Sequence, residues 1–445
     1  MLNNLILKYN MQKEEIIKIL KTWNFWDKPL DTGIERKRYL DYFESLLESK
    51  EIVAVTGVRR SGKSYLMKQM AKRLIEERGI SKDQILIANF EDSRFTDLNA
   101  DLLEQIFEVY KQYRQPKGDI YVFLDEVQQV ERWEKWVRMM HELDNAYLAV
   151  SGSNAELLGG ELATTLTGRH LDIEVFPLSF EEFLKFKSEG GADISQIDVF
   201  LREYLKFGGF PKVVLEKDEN KKQSTIVSYF RDIINKDLIK RHNIRKGEQL
   251  KSLAKFYLSN TSNLSSFNAL EKHLKISANT IEKFSGYLDM AYLTFFMKRF
   301  FFKVREQEKS PRKIYSVDPG FANTIGFRFS ENIGNLAENL VFLELRRRQL
   351  TNSVLEFYYW RNDRQEEVDF VVKDIRDKSG QLIQVCWDVN DLQTKKREFR
   401  SLLKAMAEFK LNMGLVITGN YEGEEKVDEK VVKFIPLGKW LLGKK

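Results

Sequence analysis

The stretch IVAVTGVRRSGKSYLMKQMAKRLIEE, residues 52–77, decides the fold of this chain. Residues 57–64 match the pattern G-x-x-x-x-G-K-[ST] at every fixed position. The β-branched, apolar run at 52–56 is typical of a buried strand, and residues 65–77 carry apolar side chains at helical spacing. The order strand, glycine loop, helix predicts a loop whose backbone N–H groups and following helix N-terminus bind phosphate.

We predict that this loop and the residue after it contact ATP. The nucleotide-binding residues expected from the pattern are Gly57, Arg60, Ser61, Gly62, Lys63, Ser64 and Tyr65. The ammonium group of Lys63 would reach the β- and γ-phosphates and assist catalysis, and the hydroxyl of Ser64 would hold Mg²⁺.

A second apolar run, residues 120–124, leads directly into Asp125 and Glu126. In a P-loop ATPase the first acid after such a strand supports Mg²⁺ and the second polarises the attacking water. We therefore assign Asp125 to the metal and Glu126 to general-base catalysis. Paired acids also occur in ordinary turns at strand ends, so this assignment depends on the loop at residues 57–64.

A third strand is predicted at residues 146–150 and is followed by Ser151-Gly152-Ser153-Asn154. A polar residue at the end of this strand senses the γ-phosphate in many P-loop ATPases. Asn154 or Ser153 would take this role, and we count Asn154 among the catalytic candidates. The alternative is an ordinary turn whose polar side chain caps a helix.

Composition narrows the class of protein. An apolar fraction of 43% predicts ordinary globular cores. The single cysteine, Cys386, excludes an internal disulfide and fits a reducing compartment. The four histidines are scattered and the chain has no second cysteine, so the sequence contains no zinc-binding motif. No apolar run reaches the ~18 residues of a membrane helix, and the first residues lack a signal-peptide pattern. We therefore expect a cytoplasmic protein without membrane contact.

The net charge of +6 is unevenly distributed. Residues 240–312 hold 15 Lys and Arg against 6 Asp and Glu, so the surplus of this region exceeds that of the whole chain. A basic region suits the phosphates of duplex DNA. The alternative is a solvated basic surface.

Four regions are predicted along the chain. Residues 1–50 form an N-terminal helical segment, and residues 51–228 form an AAA-like ATPase domain in which alternating strands and helices build a mostly parallel sheet. Residues 229–320 form a winged-helix region. Residues 321–445 alternate helices and strands again, which predicts a further α/β domain.

The winged-helix prediction depends on the pattern between residues 229 and 317. A helix at 277–288 opens at Ser277, and strands at 293–304 and 313–317 are joined by a charged hairpin, residues 305–312. This order is typical of a winged helix-turn-helix. The helix would either enter the major groove of DNA or only pack against other domains.

The motifs resemble a prokaryotic family of AAA-like P-loop ATPases with a winged-helix region and a C-terminal restriction-endonuclease-like domain. The resemblance covers nearly the whole chain and is carried by GVRRSGKS (57–64), FLDEVQ (123–128), SGSNA (151–155), LTGRH (166–170), FPLSFEEFL (176–184), FGGFP (207–211), YSVDPGF (315–321), NLAENLVFLEL (335–345) and EVDFVV (367–372). It implies ATP, not GTP, as the nucleotide.

The resemblance also implies a role for Arg169, which follows Gly168 after the third strand. Arg169 is a candidate arginine finger that acts in trans on the γ-phosphate of a neighbouring subunit. Such a finger requires a homo-oligomer. The alternative is an arginine that pairs with carboxylates of its own chain.

The C-terminal region departs from the nuclease pattern that it resembles. Restriction-type nucleases hold Mg²⁺ with a helix Glu, a strand Asp and an acid-x-Lys on the next strand. Glu338 and Asp369 match the first two positions, but the third reads Gln384-x-Cys386. A neutral glutamine is a weak Mg²⁺ ligand, and a cysteine cannot replace a cation. We therefore predict a domain that is non-catalytic and binds DNA or a protein.

Three hypotheses for the function follow. The first is a Mg²⁺-dependent ATPase that acts as a nucleotide-driven switch or motor, coupled to DNA or a protein client. The second is a nucleotide-gated DNA-binding regulator with little turnover. The third is an ATP-dependent DNA nuclease, which the residues at positions 384 and 386 disfavour.

Overall fold

The computed structural model describes residues 11–143, 146–153, 168–191, 196–301, 303–326, 333–376 and 380–443. The chain forms two compact units, Met1–Val175 and Phe176–Lys445. Its α/β fold class is as predicted, while the domain limits at residues 50, 228 and 320 stay predictions. In the described residues no helix is long and apolar enough to cross a membrane.

The first unit alternates strands and helices after two N-terminal helices. Its elements are α1 (Lys13–Trp23), α2 (Lys37–Leu47), β1 (Ile52–Thr56), α3 (Lys63–Glu76), β2 (Ile85–Asn89), α4 (Ala100–Arg114), β3 (Tyr121–Asp125), α5 (Trp133–Glu142), β4 (Tyr147–Ser151) and β5 (His170–Glu174).

The five strands form one parallel sheet in the order β2-β3-β4-β1-β5. β1 and β2 are buried at every position, because their apolar side chains are covered on both faces of the sheet. The predicted parallel sheet of a P-loop ATPase is therefore confirmed. Since all five strands run in the same direction, their carboxyl ends meet along one edge, where ligands of open α/β sheets bind.

The outer edge of β2 is closed by side chains of the N-terminal segment. Asn24 is fully buried; its amide donates to the carbonyl oxygen of Ile87 at 2.8 Å and accepts from the Ile87 N–H at 2.8 Å. The indole N–H of Trp26 donates to Ile85 O at 3.0 Å. These bonds imitate a neighbouring strand and satisfy backbone groups that an open edge would leave unpaired.

The second unit begins with helices and continues with two sheets. Its elements are α6 (Phe180–Glu189), α7 (Ile197–Phe207), α8 (Pro211–Leu215), α9 (Glu219–Asp232), a π-helix (Ile233–Lys240), α10 (Gly247–Ser259), β6 (Leu264–Ser265), α11 (Phe267–Leu274), α12 (Ala278–Met290), β7 (Thr294–Met297), α13 (Val304–Lys309), β8 (Arg312–Ser316), α14 (Pro319–Thr324), α15 (Ile333–Thr351), β9 (Leu355–Arg361), β10 (Glu367–Asp374), β11 (Gly380–Cys386), α16 (Leu392–Glu408), β12 (Met413–Thr418), β13 (Gly423–Val427), β14 (Lys430–Pro436) and α17 (Leu437–Leu441).

A buried carboxylate joins the FGGFP and YSVDPGF segments. Asp318 accepts from the N–H of Gly209 at 2.7 Å and of Gly320 at 2.8 Å. A Cβ on Gly208, which has φ +78°, would lie 1.7 Å from the Asp318 carboxylate. Burial raises the pKa of Asp318 to about 7, against the lowering effect of these N–H donors. The glycines are therefore required because the backbone closes around this side chain.

The described residues of the range 247–316 form four helices, α10 to α13, and a small antiparallel sheet of order β6-β8-β7. Ser277 caps α12, as expected. The strand predicted at 293–304 is wrong in length: it ends at Met297, because Lys298–Phe300 instead bond to Tyr359 of β9. The predicted antiparallel pairing of the two strands is confirmed, but their connection at 305–312 is a short helix, α13, formed by charged, unbranched residues.

The C-terminal sheet is mixed and has six strands in the order β13-β14-β12-β11-β10-β9. β9, β10 and β11 pair antiparallel, whereas β11, β12 and β14 pair parallel. The helix α16 covers one part of this sheet and contributes Leu402, Ala405 and Met406 to its apolar core. α15 runs through the interior of the unit, with eleven of its nineteen residues buried.

Candidate functional site

The glycine loop, residues 57–62, has a conformation that requires its glycines. Gly57 has φ +134°, and a Cβ there would lie 2.2 Å from the carbonyl oxygen of Val175. Gly62 has φ +106° and immediately precedes α3. Side chains rarely adopt such backbone angles. The guanidinium of Arg36 donates to Ser61 O at 2.9 Å and so helps to fix the loop.

Lys63 lies at the start of α3 with its ammonium group turned back to the loop. Its Nζ donates to Gly57 O at 3.0 Å and to Val58 O at 3.2 Å. The same atom is 4.0 Å from Glu126 Oε1, and the Lys63 side chain is 3% exposed. The predicted lysine and the predicted base therefore lie close together at the carboxyl edge of the sheet.

Asp125 and Glu126 are held by polar side chains from the neighbouring strands. Asp125 accepts from Asn89 Nδ2 at 3.0 Å and from the Ser151 hydroxyl. The backbone N–H of Glu126 donates to the same Ser151 oxygen at 3.1 Å. Glu126 itself has φ +54°, a left-handed conformation that turns the chain sharply after β3. β2, β3 and β4 thus all contribute to the position of the two acids.

Asp125 also contacts the predicted metal ligand Ser64. Burial raises the pKa of the Asp125 carboxyl and the nearby Glu126 adds to this rise, whereas hydrogen bonds from Ser151 and Ser64 and the charge of Lys63 oppose it. A hydroxyl beside a carboxylate is an oxygen donor set of the kind that Mg²⁺ prefers.

Two buried hydroxyls at this edge have no hydrogen-bond partner within the described residues. They are Ser61 Oγ in the loop and Ser153 Oγ after β4. Buried polar atoms without a partner are uncommon in proteins. Together with the glycine loop and the Ser64–Asp125 pair, they show that the residues present fit a nucleotide phosphate and Mg²⁺.

The remaining predicted residues have different positions. Arg60 is exposed with φ +72°, and Tyr65 is 44% exposed with its hydroxyl 3.3 Å from Asp31 Oδ2. Asn154 lies outside the described residues. Arg169 Nη1 is 2.6 Å from Glu142 Oε1, so the arginine pairs with a carboxylate of its own chain. Its role in trans stays a prediction.

Comparison with known proteins gives three consecutive domain matches. Residues 49–184 match an AAA domain, residues 199–332 a domain of unknown function (DUF8612) and residues 333–440 a domain of unknown function (DUF4143).

The sequence matches to two relatives extend over nearly the whole length of both proteins. The uncharacterized protein MJ1544 of Methanocaldococcus jannaschii is 35% identical over 416 residues, which is 90% of this chain and 90% of that protein. An uncharacterized protein of Haemophilus influenzae is 30% identical over 418 residues, 92% of this chain and 98% of that protein. The chain belongs to this family of AAA-domain proteins. The resemblance to a prokaryotic family of AAA-domain proteins is thereby confirmed, and its C-terminal domain is one of unknown function.

Solved structures similar to this AAA-domain protein were also found. The Walker-type ATPase paby2304 of Pyrococcus abyssi has a TM-score of 0.46 and 14% identity, covering 68% of this chain and 99% of that chain. The Aeropyrum pernix ORC1 protein in complex with DNA has a TM-score of 0.32 and 10% identity, covering 71% of this chain and 96% of that chain.

The sequence motifs missed three side chains that organise the AAA-domain site: Arg36, Asn89 and Gln128. Asn89 ends β2 in register with Asp125 at the end of β3. This signal is readable in the sequence, because polar residues that end neighbouring parallel strands meet at one edge. Arg36 gives no such signal, since only the tertiary structure brings the α2 N-terminus to the loop.

The second predicted group of acids, in the C-terminal half of this AAA-domain protein, surrounds a lysine that the sequence did not point to. Lys313 of β8 is 2.7 Å from Asp369 Oδ1, 2.8 Å from Glu338 Oε1 and 2.8 Å from Glu367 Oε1. Its side chain is 3% exposed. The Tyr315 hydroxyl, two residues further along β8, donates to Glu338 Oε1 at 2.7 Å.

The charges of this cluster shift one another. Burial alone would lower the pKa of Lys313, but Asp369 and Glu338 raise it well above its usual value. Burial raises the pKa of Glu338 to about 8, helped by Asp369 and opposed by Lys313. The cluster therefore combines a lysine whose neighbours favour its charged form with a glutamate whose burial favours its protonated form.

Gln384 and Cys386 lie where the nuclease pattern has its third element. Gln384 accepts from the Asp369 N–H at 3.1 Å and donates to Glu398 Oε2 at 2.5 Å. Burial raises the pKa of the Cys386 thiol to about 11. Among the described residues no group of three or more His, Cys, Asp or Glu side chains has a geometry that would hold a metal ion.

Proposed function

We propose that this protein binds ATP with Mg²⁺ at residues 57–65 and hydrolyses it, and that the cycle drives a switch or motor. The observation that carries the proposal is the convergence of Lys63, Asp125 and Glu126 at one sheet edge, beside two buried hydroxyls that have no partner in the described part of the chain. The AAA-type P-loop fold supports it. A strand edge with only a structural role rarely combines buried charged side chains with buried hydroxyls that lack hydrogen-bond partners.

Each side chain has a distinct task in this reaction. The loop N–H groups and Lys63 bind the β- and γ-phosphates, while Ser64 and Asp125 hold Mg²⁺, which neutralises charge on the phosphate oxygens. Glu126 accepts a proton from water as the water oxygen attacks the γ-phosphorus. The bond from that phosphorus to the bridging oxygen breaks, and ADP and phosphate leave. The Ser61 and Ser153 hydroxyls are donors for phosphate oxygens.

The test is ATP hydrolysis by the full chain and by Glu126→Gln, in the presence of Mg²⁺. General-base catalysis contributes about 10²- to 10⁴-fold to a rate, so we expect a loss of that order with ATP binding retained. The exposed Glu131 offers a matched control, because Glu131→Gln removes the same charge five residues further on. Hydrolysis by Glu126→Gln at the wild-type rate would contradict the proposal.

A second candidate function is DNA binding, and the distribution of exposed charge favours one segment for it. The exposed charged residues of α12 are Glu282, Lys283 and Asp289, an excess of one negative charge. By contrast, exposed Lys303, Arg305 and Lys309 outnumber the exposed Glu306 and Glu308 of the segment around α13, an excess of one positive charge. We propose that DNA, when bound, meets this segment through its phosphates, without base reading by α12.

This candidate predicts a change in salt dependence. Replacing Lys303, Arg305 and Lys309 by alanine should flatten the slope of log K against log salt for duplex DNA by about 2 to 3. Alanines at the exposed Lys72, Lys135 and Lys410 are the charge-matched control. Equal slopes for the two triple variants would remove α13 as a DNA contact. Stimulation of ATP hydrolysis by DNA would identify DNA as the coupled partner, and its absence would favour a protein client.

The nuclease hypothesis has the least support. Glu338 and Asp369 are 8% and 6% exposed, and both are already bound to the ammonium group of Lys313. A scissile phosphate has no access to carboxylates that are buried and paired in this way. We therefore propose a non-catalytic C-terminal domain.

A further inference from the structure

The turn after Glu126 holds a side chain that no motif assigns. Residues Val127–Gln129 form a single 3₁₀ turn, which brings Gln128 back toward the residue two positions earlier. Its Nε2 donates to Glu126 Oε2 at 2.5 Å. The other oxygen of that carboxylate, Oε1, faces the Lys63 ammonium at 4.0 Å. Both oxygens of the predicted base are thus oriented by named groups.

The chemistry of the amide fixes which end of Gln128 faces the carboxylate. A carboxylate only accepts hydrogen bonds, so the NH₂ group must point to Glu126 and the carbonyl oxygen must point away. That carbonyl oxygen, Oε1, is buried and has no partner within the described part of the chain. A buried acceptor without a donor is unfavourable, and it is satisfied when a water molecule donates to it.

We infer that Gln128 is a positioning residue for ATP hydrolysis: its NH₂ group holds the Glu126 carboxylate and its carbonyl oxygen accepts a hydrogen bond from the attacking water. This inference rests on the function proposed above. Two acceptors, Glu126 and Gln128 Oε1, then orient one water, and only the carboxylate takes the proton. Such orientation lowers the barrier because the water no longer has to be ordered during the reaction.

The neighbouring glutamine provides a matched comparison within the same turn. Gln129 is exposed, and it contacts Glu126 only through its backbone N–H, which donates to Glu126 O at 3.1 Å. Gln129→Ala therefore keeps the turn while changing an equivalent side chain. Gln128→Leu removes both polar ends of the amide at similar volume, and Gln128→Ala is a second variant should leucine disturb folding.

The experiment measures three quantities on the full-length protein: the melting temperature, the equilibrium dissociation constant of ATP with Mg²⁺, and the single-turnover rate of hydrolysis. For Gln128→Leu we expect the melting temperature and the dissociation constant to stay close to wild type, the latter within about twofold. The rate should fall about 10- to 100-fold, less than for loss of the base itself. Gln129→Ala should match wild type in all three.

The outcomes separate the inference from the function on which it rests. A wild-type rate in Gln128→Leu and Gln128→Ala, with hydrolysis lost in Glu126→Gln, would overturn the role of Gln128 and leave the ATPase intact. A parallel loss of ATP affinity and rate would also overturn it, because the glutamine would then only support the structure of the loop. No hydrolysis by the wild-type protein would remove the proposed function and this inference together.

Discussion

Two groups of carboxylates in this molecule each contain a buried lysine, and they differ in where the lysine makes its bonds. In the first unit, Lys63 donates to the carbonyl oxygens of Gly57 and Val58 and lies 4.0 Å from Glu126. In the second unit, the ammonium group of Lys313 is within 2.8 Å of three carboxyl groups. Residue types alone do not distinguish the two groups.

The difference separates a site from a structural ion cluster. At the same sheet edge as Asp125, the buried hydroxyls of Ser61 and Ser153 have no partner among the described residues, and we propose that this group is open to a ligand. Around Lys313, the ammonium and the Tyr315 hydroxyl meet the acids at hydrogen-bond distance. A group whose donors and acceptors are already matched gains little from a ligand. We therefore expect opposite responses when each lysine is removed.

The largest effect is expected for Lys313→Met. Methionine keeps the length of the side chain but leaves the carboxyl groups of Glu338, Glu367 and Asp369 without their cation. Removing one member of a buried ion pair costs about 3–5 kcal/mol, so the free energy of unfolding of the second unit should fall by that amount. Calorimetry of the full chain measures it, and ATP affinity should stay unchanged.

The exposed Lys309 provides the control for this variant. Lys309→Met should change stability by no more than about 0.5 kcal/mol, as is usual for surface substitutions. If Lys313→Met were as stable as Lys309→Met, the carboxylates would not depend on the lysine. The short distances from Lys313 to these acids would then not reflect a stabilising ion cluster, and the contrast with the acids at residues 125–126 would be weakened.

Lys63→Met should show the reverse pattern. A hydrogen bond to a charged group contributes about 1.5–3 kcal/mol, which corresponds to a roughly 10- to 100-fold weaker affinity for ATP with Mg²⁺. Titration calorimetry with a non-hydrolysable ATP analogue measures this loss. Stability without nucleotide should fall by only about 1 kcal/mol, because two backbone carbonyls lose one donor.

Lys72, exposed on the same helix α3, is the matched control for Lys63. Lys72→Met should bind the analogue with wild-type affinity. If Lys63→Met instead bound nucleotide normally and lost several kcal/mol of stability, Lys63 would be a structural lysine like Lys313, and the distinction between the two groups would be lost.

The two groups also differ in how far the sequence predicted them. The loop at residues 57–64 and the acids at 125–126 are local patterns, whose spacing along the chain reflects strand, turn and helix. The parallel sheet followed from these patterns, and the structure confirmed it. Asn89 was within reach of the same logic, since it ends the strand beside Asp125.

The position of Lys313 could not be predicted from local sequence patterns. It precedes Glu338 by 25 residues and Asp369 by 56 and belongs to the three-stranded sheet, so only the packing of that sheet brings it to the acids. The strand expected at 293–304 is shorter for a related reason: residues 298–300 bond to Tyr359 on a distant strand, which no local pattern reveals. Contacts between separate elements, not propensities, decided both features.

The last effect concerns the proton on Glu338 and develops gradually with pH. Burial raises its pKa to about 8, whereas a glutamate in an unfolded chain has a pKa near 4.3. Between these values the folded state holds a proton that the unfolded state has released. Stability from this group is therefore fully present below about pH 4.3 and falls as the pH rises toward 8, by at most about 1.4 kcal/mol per pH unit.

Glu338→Gln imitates the protonated carboxyl and removes this dependence. The gain in unfolding free energy of Glu338→Gln over wild type should be small at pH 5 and should grow steadily up to pH 8. Urea unfolding of the full chain at each pH measures this gain. The exposed Glu408→Gln is the control and should follow wild type throughout. Parallel curves for wild type and Glu338→Gln would mean that Glu338 is ionised in the folded protein. Lys313 would then face three negative charges, and its single positive charge would leave the cluster with an excess of two negative charges.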